Sequence, residues 1–140
     1  MSLFLLACAV EPDTTGLPLG DLDAFEYEVQ PLLVPTCSSP SCHGDPSRAL
    51  ELYGVHQHRA DTGEVYLDAP LTQDELWHNY VQLSALNVDL DDPESSMALA
   101  KPLDPEAGGV PHEGGTWFAT TDDWDYQTLR DWIADSLEEP

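Results

Sequence analysis

Two cysteines and a histidine fall together in Cys37-Ser38-Ser39-Pro40-Ser41-Cys42-His43, with Gly44 directly after. Any fold this chain adopts must place both thiols and the imidazole around one spot, because so little chain separates them. Ser38, Ser39, Pro40 and Ser41 are small or turn-forming and can bulge outward without pulling the thiols apart. Helical patterning surrounds this knot. Phe25 to Leu33 reads as a helix running into the cysteines, with Phe25, Val29 and Leu32 at i, i+4, i+7 spacing. Asp125 to Ala134 reads as a second amphipathic helix whose apolar face is Tyr126, Leu129, Trp132 and Ile133. Leu71 to Leu83 is a third, with Thr72 as N-cap, Glu75 completing a capping box, and Leu76, Tyr80 and Leu83 on one face.

Three chemistries use such a knot. The order Cys, Cys, His is the attachment signature of a c-type haem, here widened from two intervening residues to four. The porphyrin vinyl groups lie on one side of the ring, so neighbouring thiols can form both thioethers. The histidine behind the second thiol then sits beneath the iron as its proximal ligand. The alternatives are a local Cys37–Cys42 disulfide and a metal site made of Cys37, Cys42, His43 and a distant histidine such as His112. A histidine directly after a ligating cysteine is an awkward neighbour at one tetrahedral ion.

The blocks along the chain favour haem by resemblance. Phe25 to Leu33, Cys37 to Gly44, Ala49-Leu50-Glu51-Leu52-Tyr53, Ser95 to Leu103, His112-Glu113-Gly114-Gly115 and the helix ending Asp131-Trp132-Ile133 occur in an order that resembles class I cytochromes c. The likeness is to the small exported cytochrome-like domains of myxobacteria and planctomycetes, and it spans roughly residues 23 to 136. It implies an all-α fold, a small cytochrome c-like helical fold with long loops around one covalent haem, whose terminal helices pack together. It implies thioethers at Cys37 and Cys42 and His43 as proximal iron ligand. For the distal position it implies His112, since the resembling domains carry a histidine followed by glycines there. Glu113 departs from the glycine usual after that histidine. Met97 is the alternative distal ligand, although its helical spacing to Ala100 and Lys101 suits a core residue. An open sixth position is the third possibility.

The distal ligand separates functional classes. Two strong axial ligands leave iron only electron transfer, whereas an open position admits small-molecule chemistry. Arg48, Arg59 and Arg130 are the only arginines, and none stands in a recognisable catalytic setting. The chain therefore reads as a monohaem electron carrier rather than an enzyme. The competing reading is an exported non-haem lipoprotein, with a Cys37–Cys42 disulfide, serving as an interaction or assembly module.

Charge narrows the partners. Four Lys+Arg against 27 Asp+Glu give a net charge of −23, so nucleic acid has no basic footprint to engage. The acidity either serves only solubility, as in a salty habitat, or suits redox partners with basic docking surfaces by salt-sensitive steering. One hundred and forty residues suffice for one modest core, and twelve prolines with nine glycines predict short helices between long loops. At the N-terminus, Leu5-Leu6-Ala7-Cys8 is similar to the end of a bacterial lipoprotein signal, though it lacks a basic n-region. The expected organisation is a signal remnant over 1–8 ending at a lipidated Cys8, a Pro/Gly-rich flexible tether over 9–22, and a haem domain over 23–140. That places the protein outside the cytoplasm, in the periplasm or at the cell surface, held to membrane by lipid. All three cysteines are then used. His56 and His58, in the polar Gly54–Pro70 segment, and His78, opposite an apolar stripe, are expected to be solvated.

Overall fold

The computed structural model describes residues 13–88 and 90–138, and among these the chain is all-α with no strand. Its helices are α1 (Leu22–Ala24), α2 (Gln30–Thr36), α3 (Gln73–Ser84), α4 (Met97–Ala100) and α5 (Trp124–Glu138). Turns of 3-10 helix fill several of the connections, and Leu103 and Phe118 make one isolated parallel bridge.

The entry helix is longer than its apolar spacing suggests. Asp21 caps it, its carboxylate accepting from the Ala24 N–H at 2.7 Å. α1 then passes through a π-turn at Phe25–Val29, where Gln30 N–H donates to Phe25 O, into α2. Pro31 accounts for the wider turn. It has no N–H and its ring crowds the carbonyl four residues back, so the ladder opens there. Phe25, Val29 and Leu33 form the buried stripe, while Leu32 turns to a cavity described below.

This entry helix crosses α5, so the two terminal helices pack together. Phe25, Tyr80 of α3 and Trp132 of α5 meet with ring centres 5.3, 5.4 and 6.1 Å apart. Such aromatic pairs add about 0.5–1.5 kcal/mol each beyond area burial. Tyr126, Leu129, Trp132 and Ile133 are all buried, as the α5 pattern requires. The capping box of α3 is present in full, from Thr72 to Glu75.

Cys8 and the other residues of the signal-like segment lie outside the described residues. The far end of the 9–22 segment is held by the core rather than free. Leu19 packs on the core, Tyr80 Oη donates to Gly20 O at 2.6 Å, and Trp132 Nε1 donates to Asp21 O at 3.0 Å. A side chain at position 20 would press on the Trp132 ring, which explains the glycine.

The segment between Gly54 and Pro70 departs most from expectation. Arg59, 1% exposed, donates through Nε and a terminal nitrogen to both carboxylate oxygens of Glu75, at 3.0 and 2.8 Å. It also reaches Glu64 at 2.7 Å and the carbonyls of Ala69 and Pro70. The segment closes around that ion pair, and two nearby histidines are only half-buried rather than free in solvent. His58 Nε2 donates to Glu51 at 2.8 Å, with its ring stacked on Tyr53, and His78 Nε2 donates to the Glu51 carbonyl at 3.1 Å. His56 is exposed, beside Asp68. Among the described residues no helix is long and apolar enough to cross a membrane.

Candidate functional site

The knot of cysteines opens onto a cavity of about 730 Å³. Val29, Leu33, Leu52, Leu83, Phe118 and Leu129 supply its apolar wall, and Cys37, Cys42, His43 and His112 also line it. A volume of that order suits a cofactor or small molecule. Arg48 and Lys101, half of the four Lys+Arg in the chain, stand on the same wall.

Local hydrogen bonds build the thiol loop. Cys37 and Ser38 N–H both return to Leu33 O at the end of α2, and Ser38 Oγ donates to Val34 O. Cys42 N–H donates to Ser39 O at 2.8 Å and His43 N–H to Cys37 O at 3.0 Å. The widened spacing is thus absorbed as a turn, with Pro40 and Ser41 exposed to solvent. Gly44 must be glycine, because a Cβ there would sit 2.2 Å from Ser38 O. Both thiols are free, and burial pushes the Cys37 thiol up, so it stays protonated near neutral pH.

His43 is clasped by the chain that follows it. Its Nδ1 lies 2.9 Å from Leu50 O, and its own carbonyl accepts from Leu52 N–H at 2.7 Å. A carbonyl can only accept, so the proton is on Nδ1 and the lone pair is on Nε2. Burial pushes the His43 pKa down, outweighing that hydrogen bond, and His112, Lys101 and Arg48 push it the same way. The ring is therefore neutral at pH 7, the form that binds metal.

His112 comes from the loop 102–118 on the other side. Trp117 and Phe118 N–H donate to Pro102 O, and Val110 N–H donates to Ala100 O, which fixes both ends of that loop. The two imidazoles face one another with ring centres 6.0 Å apart and planes inclined by 11°. An imidazole nitrogen binds a first-row metal at about 2 Å and lies about 1 Å from its own ring centre, so two rings on one ion are about 6 Å apart. The observed spacing would suit two imidazoles sharing one ion. The buried His112 Nδ1 has no hydrogen-bond partner. Met97 borders the cavity in the first turn of α4 but is half exposed, not the core residue its spacing suggested.

These residues fit a haem. Among the described residues no three His, Cys, Asp or Glu side chains gather tightly enough to hold a bare ion. An iron whose equatorial ligands come from a porphyrin needs only the two imidazoles. Leu50, whose carbonyl orients His43, escapes sequence reading because the working atom is backbone. No family model, curated protein or solved structure matches this chain.

Gly114 supports the His112 ring, since a Cβ at 114 would lie 2.7 Å from Cε1. Gly114→Ala is expected to push that ring aside with little loss of stability, because a half-buried side-chain ring can swing away from the added methyl. Nuclear magnetic resonance should show changed His112 ring signals with helix content unaltered.

Proposed function

We propose that this chain is a monohaem c-type cytochrome that carries electrons outside the cytoplasm. The observation that carries this reading is the nearly parallel His43–His112 pair, 6.0 Å apart, in a cavity walled by both thiols of the motif. In this reading Cys37 and Cys42 hold one haem c covalently, His43 is the proximal ligand and His112 the distal one, with Met97 left beside the site. The helices form a small cytochrome c-like fold around it.

The bound haem supplies a one-electron couple. The protein's residues do the remaining work. Leu50 O keeps the proton of His43 on Nδ1, so Nε2 remains the donor atom. Gly114 leaves room for the His112 ring. The apolar wall excludes water, and Arg48 and Lys101 offset the negative charge that porphyrin carboxylates bring into an acidic protein. Two imidazole ligands leave no open position for substrate, so the protein is a carrier rather than an enzyme. Its net charge of −23 favours redox partners with basic docking surfaces, and a lipid on Cys8 would hold it at a membrane in the periplasm or on the cell surface.

Made together with a working haem-attachment system, the protein should gain the mass of one haem and give a c-type pyridine haemochrome spectrum. A protein that gains none, with Cys37 and Cys42 joined to each other, would overturn this reading in favour of the disulfide-bonded interaction module.

A further inference from the structure

Asn79 of α3 is fully buried, and its amide is engaged by Tyr53 and Gln30. Its Oδ1 accepts from Tyr53 N–H at 2.8 Å, and its Nδ2 donates to Tyr53 O at 2.8 Å and to Gln30 Oε1 at 2.9 Å. An amide engaging both the N–H and the C=O of one residue imitates a neighbouring strand, and it fixes that residue's backbone in position and rotation. Tyr53 follows directly on Leu52, whose N–H donates to His43 O, and Leu50, whose carbonyl accepts from His43 Nδ1. The run from Leu50 to Tyr53 has no regular secondary structure to stiffen it. At one end it clasps His43, and at the other it is pinned by Asn79 to α3 and, through Gln30, to the start of α2.

We infer that Asn79 is the positioning residue for His43, setting the tautomer and the aim of its Nε2 through the Leu50–Tyr53 clasp. This rests on the reading of His43 as an axial ligand, but the effect on the tautomer exists without any haem. Buried groups that orient a metal-binding histidine typically change affinity or activity 10–100-fold when removed, because they set ring orientation and ligand basicity. The Nδ1–H bond to a carbonyl makes the imidazole a stronger donor. Loosening the clasp therefore weakens the donor and raises the reduction potential of bound iron.

The test uses the full chain with Asn79→Asp and Asn79→Ala, beside Ile133→Val as a control that loosens the core away from the clasp. Asn79→Asp keeps the shape and the acceptor for Tyr53 N–H but cannot donate to both Tyr53 O and Gln30, having no donor when ionised and one when protonated. In the protein made without haem, nitrogen-resolved magnetic resonance reads the His43 tautomer and the exchange of its Nδ1 proton. Both Asn79 variants should exchange that proton faster, by on the order of tenfold if about 1.4 kcal/mol of the clasp is lost, and should populate the other tautomer. Ile133→Val should leave both unchanged. In the haem-loaded protein the Asn79 variants should have a raised midpoint potential. Exchange no faster than in Ile133→Val would overturn the inference, as would an unshifted tautomer. Absence of haem from the wild-type protein would overturn the cytochrome reading instead, and the resonance measurement would still decide the role of Asn79.

Discussion

Replacing His112 with alanine in the haem-loaded protein is expected to open the sixth iron position. The wild-type spectrum should be low-spin in both redox states, with slow binding of carbon monoxide. Removing a strong-field imidazole leaves only water or a neighbouring side chain for the iron, which gives high-spin character. Carbon monoxide should then bind at least about tenfold faster, since every 1.4 kcal/mol removed from the barrier to displacing a ligand is worth a factor of ten. Met97→Leu should leave the spectrum nearly unchanged, because Met97 stands half exposed at the cavity edge while His112 faces His43. Stopped-flow mixing with carbon monoxide and absorption spectroscopy read both variants. A silent His112→Ala with a disruptive Met97→Leu would transfer the distal role to Met97 and move the expected potential upward.

Replacing Arg59 with alanine should cost about 3–5 kcal/mol, the usual result of stranding a buried carboxylate. For a chain of this size that lowers the unfolding temperature by on the order of 10–20 °C. The stranded group is Glu75, which is 1% exposed and also closes the capping box of α3. Burial by itself would raise the Glu75 pKa. The Arg59 guanidinium and the amides of Thr72 and Ala60 outweigh it and hold the pKa at about 2, against an ordinary 4.5. The unfolded chain thus binds a proton at this carboxyl at higher pH than the folded one does. The stabilisation is complete above pH 4.5 and is lost as pH falls toward 2, by about 3 kcal/mol in all. Chemical denaturation from pH 6 down to pH 2.5 measures it. In Arg59→Ala the pH dependence should shrink along with the stability, and equal slopes in the two proteins would contradict the assignment.

The ease with which each part is read from sequence follows the range of the forces that set it. The helices at Phe25, Thr72 and Asp125 are visible because apolar spacing and caps act over a few residues. The knot at Cys37–His43 is visible because covalent proximity alone draws its groups together. His112 is singled out by its glycine-rich setting and by resemblance, and the structure does bring it opposite His43. Arg59 is hidden because its main partner lies 16 residues away and the intervening segment reads as polar loop. His58 is less solvated than its polar segment suggests for the same reason, since Glu51 draws it inward only after the chain has folded, while His78 stays partly exposed. Asn79 offers a faint signal, a polar residue directly before Tyr80 on a helix that packs on the core. Two of its three bonds go to the Tyr53 main chain, and backbone atoms carry no sequence signature. The π-turn is legible in hindsight from Pro31, while the exchange of Leu32 for Leu33 in the buried stripe depends on how the helix meets α5.

The hydrogen bonds that end on Gly20 and Asp21 decide where the folded unit starts. Two of the three central aromatic rings, Tyr80 and Trp132, use carbonyls of these residues as acceptors, and Asp21 also caps the entry helix. A version of the protein beginning at Leu22 would keep every helix and yet leave a buried phenol and a buried indole without partners, each costing about 1–3 kcal/mol. One beginning a few residues earlier would keep both acceptors and Leu19 against the core. The residues just ahead of the first helix are therefore part of the core's polar lining, and any natural or engineered cut that is to leave the domain intact must fall before Leu19.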